Sequence, residues 1–174
     1  WGLTSADTAV IAFDPPRLYH GRERALWVPQ PSDLPELSRW LRACGVQTLA
    51  IVQPHDQGRL PEALKRGLAS LDEQAVVASG FERVILLRSA RKPLNAKLAN
   101  PAERLAAWML SIMRFMVPTS EQPVRPSKVA ELVDMALRIA PAGVHVAAPE
   151  LVWQAAQGEM QPVVRRWLGL EGAG

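Results

Sequence analysis

The chain has a single tyrosine, Tyr19, which is the first residue to consider for acid–base chemistry. A tyrosine whose pKa is lowered by a nearby lysine can act as the general acid or base at a reducible carbonyl. The residue four positions after Tyr19 is Glu23, and no Tyr-x-x-x-Lys occurs in any register. The sequence therefore lacks this arrangement for carbonyl reduction.

The three histidines and the one cysteine are the other candidates for catalysis or metal binding. His20, His55 and His145 lie far apart, and no two have the spacing of metal ligands. We interpret His20 and His55 as loop residues and His145 as part of the last strand, each structural or exposed. Cys44 falls at the C-terminal end of a predicted helix, where the helix dipole disfavours a thiolate, so we interpret it as buried apolar filling. We therefore predict no metal site and no catalytic thiol.

Turns that could hold a phosphate are also missing from the sequence. Neither Gly-x-Gly-x-x-Gly nor a P-loop Gly-Lys-Ser/Thr occurs. The first predicted strand runs into Asp14-Pro15-Pro16, where the prolines remove backbone donors. The segment 55–59, HDQGR, follows the second predicted strand. It is either an active-site loop, since ligands bind beyond the carboxyl ends of strands in open α/β sheets, or an ordinary polar connection.

Four continuous apolar runs predict strands that are buried on both faces. They cover residues 8–13, 46–52, 83–87 and 144–148. Helical patterns separate these runs, and this alternation predicts an α/β fold with a parallel sheet and helices on both faces. We expect residues 1–174 to form one domain, because the length suits one core better than two.

The helical patterns cover residues 33–44, about 61–79, 102–116 and a segment from Pro126 or Ser127, with one or two short helices up to Trp167. Asp33 and Glu36 predict a capping box for the first helix, and Gly45 predicts its end in the left-handed conformation. We interpret the stripe on 102–116 as core, although it could also form a substrate lid, a dimer face or a membrane-surface patch.

Three of these helices have apolar faces that we expect to point into the core. On the first helix the face is Leu34, Leu37, Leu41 and Cys44. On the second, which should end near Gly80, it is Leu60, Leu64, Leu68, Leu71 and Ala75. On the helix from Pro126 it is Val129, Leu132, Val133, Ala136 and Leu137.

Composition restricts the class of partner. The chain has 174 residues, of which 48% are hydrophobic and 21% charged, as in an ordinary globular protein. The net charge of +3 is scattered and mixed with acidic residues, which argues against nucleic-acid binding. The longest apolar run, LAAWMLSIMRFMV, is short and interrupted by Arg114, so no membrane span is expected. A single cysteine and a start without signal-peptide features favour the cytoplasm.

Several segments taken in order resemble the short-chain dehydrogenase/reductase superfamily. They are RACGVQTLAIV, ASGFERVILLRSA, the predicted Met-bearing helix at 102–116 and RPSKVAELVDMAL. The likeness is greatest to its atypical, nitrogen-metabolite-regulator-like members, and it covers about residues 7–152. It implies a Rossmann-like sheet in which residues 8–13 correspond to the family's fourth strand. The first three strands, with the Gly-rich cofactor turn, would lie upstream of Trp1 or be absent, so the sheet would be incomplete on its N-terminal side.

The family's catalytic positions are occupied by other residue types in this chain. The resemblance aligns the catalytic serine with Gln53, the tyrosine with Lys65 and the lysine with Ala69. Loss of all three groups argues against reduction by the family's usual route. We therefore assign no catalytic residue.

By position alone, the resemblance implies a small set of cofactor-binding residues. Asp14 stands where the family has a glycine after its fourth strand. The Arg-Pro-Ser corner, which lies beside the nicotinamide in the family, is partly kept without its proline. The implied set is Asp14, Gln53, Arg88 and Ser89.

Three functions follow as hypotheses. The first is a non-catalytic or regulatory Rossmann-fold protein that senses NAD or NADP if an upstream Gly-rich segment exists, and otherwise binds no cofactor. The second is an NAD(P)-dependent oxidoreductase in which Lys65 or Gln53 polarises the substrate. The third is an interaction subunit, since an unpaired edge strand at 8–13 would be covered by a second copy or a partner subunit.

Overall fold

The structure of the chain is a computed structural model, which describes residues 6–13, 30–55, 68, 70–90 and 124–171. Within these residues the strands are β1 (Thr8–Ala12), β2 (Thr48–His55), β3 (Arg83–Ala90) and β4 (Gly143–Ala147). They form a sheet in the order β1-β2-β3-β4, and every neighbouring pair is parallel. The predicted α/β fold with a Rossmann-like parallel sheet is confirmed.

Five helices are found in the described part of the chain. They are α1 (Leu34–Ala43), α2 (Leu71–Ala78), α3 (Pro126–Ile139), α4 (Pro149–Gln157) and α5 (Met160–Trp167). The start of α3 at Pro126 and the presence of two short helices ending at Trp167 agree with the prediction, which assigned no other bounds to these helices. None of the helices in the described segments has the length and apolarity needed to cross a bilayer.

Helices cover both faces of the sheet, as predicted. Strand side chains alternate between the faces, so residues two apart share one. Leu49, Ile51, Val84 and Leu86 pack with α1 and α2 on the first face. Ala50, Ile85, Leu87 and Ala147 pack with α3, α4 and α5 on the second face. Burial on both sides explains why the central strands are continuously apolar rather than alternating.

The entry into α1 differs from the predicted capping box. A 3-10 turn at Pro31–Asp33 precedes α1, and Asp33 already has helical backbone angles, φ −84° and ψ −5°. Its carboxylate therefore points back and accepts the Gln30 backbone N–H at 2.8 Å. The prediction that Asp33 and Glu36 cap each other was wrong. The prediction for the C-terminal end of α1 is confirmed. Gly45 has φ +93° and ends the helix in the left-handed region.

The second helix was predicted from about 61 to 79, but α2 begins only at Leu71. Ser70 has extended backbone angles, and its Oγ accepts the Glu73 backbone N–H at 3.2 Å, which fixes the start. Leu71 was expected to point inward, yet it is 80% exposed. The buried residues of α2 are Glu73 and Val76. The predicted part at 61–67 lies outside the described residues, as do the Pro-rich segment at 14–29 and the predicted helix at 102–116.

Candidate functional site

Strands β2 and β3 run further than their neighbours at the carboxyl edge of the sheet. The pairing of β1 ends at Ala12 with Val52, and that of β4 ends at Ala147 with Leu87. Beyond these points the register continues between β2 and β3, with Gln53 opposite Arg88, Pro54 opposite Ser89 and His55 opposite Ala90. We call residues 53–55 and 88–90 the projecting edge. His55, expected in a loop, is the last residue of β2.

The described helices that come next after β2 and after β3 pack on opposite faces of the sheet. The next described helix after β2 is α2, which packs on the first face. The next described helix after β3 is α3, which packs on the second face. In open α/β sheets, ligands bind in the crevice outside the carboxyl ends of the strands. The projecting edge is therefore the best-supported candidate site in the described part of the chain.

Three of the four residues expected to bind a cofactor lie at this edge. Gln53 and Arg88 are directly opposite each other on the first face, because they continue the alternation of Ile51 and Leu86. Ser89 continues the alternation of Leu87 and so lies on the second face. The consecutive pair Arg88-Ser89 is thus divided between the two faces. Gln53 and Ser89 are half-buried.

Arg88 is buried and ion-paired. It is 3% exposed, and its Nη2 donates a hydrogen bond to Glu73 Oε2 at 2.8 Å. Glu73, in the first turn of α2, is 2% exposed. A charge-assisted hydrogen bond of this length is among the stronger protein interactions, and burial makes each charge dependent on the other. The Glu73–Arg88 pair thus joins α2 to β3 at the candidate site.

Glu73 was not foreseen as a site residue. Acidic residues are common in the first turn of a helix because they favour the positive end of its dipole, so Glu73 alone gave no signal. Its position three residues before Val76, the other buried residue of α2, would have indicated an inward face. That clue only becomes visible once α2 is known to begin at Leu71.

Other described ion pairs provide a contrast, because they lie on the surface. Lys128 and Glu131 approach to 2.6 Å, with side chains that are 45% and 54% exposed. Arg138 and Asp134 approach to 2.9 Å, and the hydrogen bond to Asp134 raises the pKa of Arg138 above its ordinary value. Pairs of this kind are weak because water screens them. The Glu73–Arg88 contact differs from them because it is buried and because it joins a helix to a strand.

The other residues considered for chemistry lie elsewhere. Cys44 is at the C-terminal end of α1, at the amino edge of the sheet, and is half-buried rather than fully buried as expected. The His145 ring nitrogen Nε2 lies 2.9 Å from Pro141 O and must donate, because a carbonyl oxygen only accepts. Among the described residues, no cluster of three or more His, Cys, Asp or Glu side chains is placed to hold a metal.

The remaining predicted positions cannot be placed at the site. Asp14, expected to bind a cofactor, lies outside the described residues, and so do Lys65 and Ala69. Comparison of the chain with protein-family models, curated proteins and solved structures finds no match. The likeness to short-chain dehydrogenases/reductases thus stays a prediction from the sequence pattern.

Proposed function

We propose that this chain is a non-catalytic, regulatory protein on a Rossmann-like scaffold, related to atypical short-chain dehydrogenases/reductases, and that it senses NAD or NADP at the projecting edge. The observation that carries the proposal is the buried 2.8 Å contact between Arg88 and Glu73. Through this contact Arg88, the charged residue of the predicted nicotinamide corner, holds α2 on the sheet. The described polar groups at this edge are then suited to binding.

The chemistry of these groups supports a binding role. The Gln53 side chain can donate and accept hydrogen bonds but has no proton that titrates near neutral pH. The Arg88 guanidinium donates hydrogen bonds but has no acceptor. The Ser89 hydroxyl needs an adjacent base to become a nucleophile. Together, an amide and a hydroxyl can recognise the ribose or the carboxamide of a nicotinamide nucleotide by hydrogen bonding.

The phosphates of a dinucleotide require a further element. Their usual cradle is a Gly-rich turn at a helix N-terminus, and this sequence has no Gly-x-Gly-x-x-Gly. Sensing of NAD or NADP therefore depends on such a turn in residues preceding Trp1. Without one, the chain should bind neither NAD nor NADP.

Binding and turnover can be tested on the same preparation. Native mass spectrometry would report any retained nucleotide, and calorimetric titration with NAD and NADP would give the affinity. Ala substitution of Gln53 or Ser89 should weaken binding by about tenfold, the effect of losing one good hydrogen bond. Glu131→Gln, which removes an exposed carboxylate, should leave it unchanged.

Robust NAD(P)H-dependent reduction of a panel of carbonyl compounds would contradict the proposal. It would support the second hypothesis, an oxidoreductase with a non-standard active site. In that case Lys65→Met should abolish turnover, since Lys65 occupies the position of the family's catalytic tyrosine.

An interaction subunit is the other candidate function, and the exposed side of β1 favours it. Val10 is 52% exposed, and Thr8 and Ala12 beside it on the second face are also exposed. The strand TAVIA has neither a charged residue nor a proline, which edge strands normally use to prevent pairing. A second copy or a partner subunit that extends the sheet would cover this edge. Sedimentation analysis should then show an oligomer that Val10→Lys dissociates, whereas a monomeric wild-type chain would exclude self-pairing.

A further inference from the structure

The two turns of α2 are held on the sheet by different forces. Val76, in the second turn, is fully buried in the apolar core of the first face. Next to it, the Ser79 and Ser38 hydroxyls lie 3.3 Å apart, and Arg42 Nε donates to Gly80 O at 3.0 Å. These contacts fix the C-terminal end of α2 to α1 and the core.

The first turn of α2 has a different anchor. Leu71, its first residue, points into solvent and is 80% exposed, so it contributes little apolar contact. Glu73 is the buried residue of this turn, and it contacts Arg88. The end of α2 nearest the projecting edge is thus held to the sheet through a buried ion pair.

An ion pair differs from an apolar contact because another ion can replace one partner. The guanidinium of arginine presents a planar fork of donors that fits carboxylates and phosphates equally well. Arg88 lies directly opposite Gln53, within the projecting edge where we expect the ligand. An oxyanion that reached this position would compete with the Glu73 carboxylate for the same donors.

We propose that the Glu73–Arg88 pair is a ligand-operated latch, an inference that rests on the proposed function. A ligand oxyanion, such as a nucleotide phosphate, takes the place of Glu73 on Arg88. Glu73 then turns to water, and the first turn of α2 leaves the sheet while Val76 holds the second turn. Because Arg88 is only 3% exposed, the oxyanion can reach it only if α2 moves, so binding and the movement are coupled.

The first test is Glu73→Gln, with inorganic pyrophosphate as the probe. This variant removes the carboxylate that competes for the Arg88 donors, so pyrophosphate should bind at least about tenfold more tightly than to wild type. Pyrophosphate should also raise the melting temperature of the variant more than it raises that of the wild type. Equal affinity in the two proteins would overturn the latch.

Two further variants control for charge and folding. Glu73→Gln combined with Arg88→Met removes both charges and should fold, but it should lose the gain in pyrophosphate affinity. Glu131→Gln changes the net charge by the same amount at an exposed position and should bind as wild type does. A gain that persisted without Arg88, or that appeared in Glu131→Gln, would contradict the assignment.

The movement of α2 has its own readout. A nitroxide on Leu71→Cys, in a Cys44→Ser background, would report the first turn, since Leu71 is exposed and Cys44 is the chain's only cysteine. Saturating pyrophosphate should increase the mobility of the label, and adding Glu73→Gln should increase it without ligand. If pyrophosphate binds and the spectrum of the label does not change, the latch is refuted.

These outcomes separate the latch from the function on which it rests. If NAD and NADP fail to bind while Glu73→Gln gains pyrophosphate affinity, the proposed function fails and the latch stands. If NAD or NADP binds but Glu73→Gln changes neither affinity nor label mobility, the latch fails and the function stands.

Discussion

Removal of one partner from the Glu73–Arg88 pair should destabilise the protein far more than removal of a partner from a surface pair. Glu73→Gln is the appropriate change, because glutamine keeps the size and shape of glutamate while it removes the charge. The buried Arg88 guanidinium, 3% exposed, would then have lost its carboxylate. The loss of stability therefore measures how strongly burial couples the two charges.

The expected magnitude follows from the geometry. Opposite charges 2.8 Å apart attract with about 6 kcal/mol at an effective dielectric constant of roughly 20. Glutamine can still accept a hydrogen bond, and the cost of burying the carboxylate disappears, so the net loss is smaller. We expect the free energy of unfolding to fall by about 3–5 kcal/mol, the usual result of breaking a buried pair. For a chain of this size, the melting temperature should drop by roughly 6–20 °C.

Urea unfolding followed by circular dichroism would measure this loss, with Glu131→Gln as the control. Glu131 pairs with Lys128 at 2.6 Å on the surface, and its loss should cost at most about 1 kcal/mol. The double variant with Glu73→Gln and Arg88→Met should return to within about 1–2 kcal/mol of wild type, since both charges of the buried pair are removed together. If Glu73→Gln lowered the free energy of unfolding no more than Glu131→Gln does, a buried and stabilising Glu73–Arg88 pair would be refuted.

Three further changes test other parts of the fold by the same unfolding assay. Leu132→Ala should cost about 2–5 kcal/mol, because Leu132 is 1% exposed in the core between α3 and the sheet. Gly45→Ala should cost about 1–2 kcal/mol, because φ is +93° where α1 ends. Trp167→Phe should cost about 0.5–1.5 kcal/mol, because the indole N–H donates to Val146 O at 3.0 Å on strand β4.

Each of these changes has a matched control. Leu71→Ala removes an equal side chain that is 80% exposed and should change stability by less than about 0.5 kcal/mol. Gly158 has φ −135° and, like Gly45, nothing within 4 Å of an added Cβ, so Gly158→Ala should be harmless. Trp153→Phe alters a half-buried tryptophan with no side-chain hydrogen bond found among the described residues. If a control variant lost as much free energy of unfolding as the variant it is matched to, the structural feature that the variant tests would be contradicted.

Much of the fold could be predicted because its signals are local. The strands come from short apolar runs rich in β-branched residues, and Gly45 adopts the left-handed conformation that only glycine enters easily. The inward residues of α3 follow a period of 3.6, and Val129, Leu132, Val133 and Ala136 are buried as expected. In each case the pattern and its cause lie within one element, so the sequence alone was sufficient.

The site was less predictable because it depends on contacts between elements. The sequence pattern marked Gln53, Arg88 and Ser89, but it did not show that the first two share a face while Ser89 lies on the other. Nor did it show that β2 and β3 extend past their neighbours. Strand length here is set by which neighbour continues to pair, and a single segment does not contain that information.

The sequence by itself determined that this chain forms a parallel α/β sheet, because apolar periodicity specifies which segments must be buried on both faces. Only the tertiary structure decided what α2 presents to that sheet. An apolar period favoured Leu71 in the first turn, yet Glu73 is buried there, because Arg88, fifteen positions away, supplies the opposite charge. A carboxylate is buried only where a partner compensates its lost hydration, and only the assembled sheet and helix bring that partner within reach.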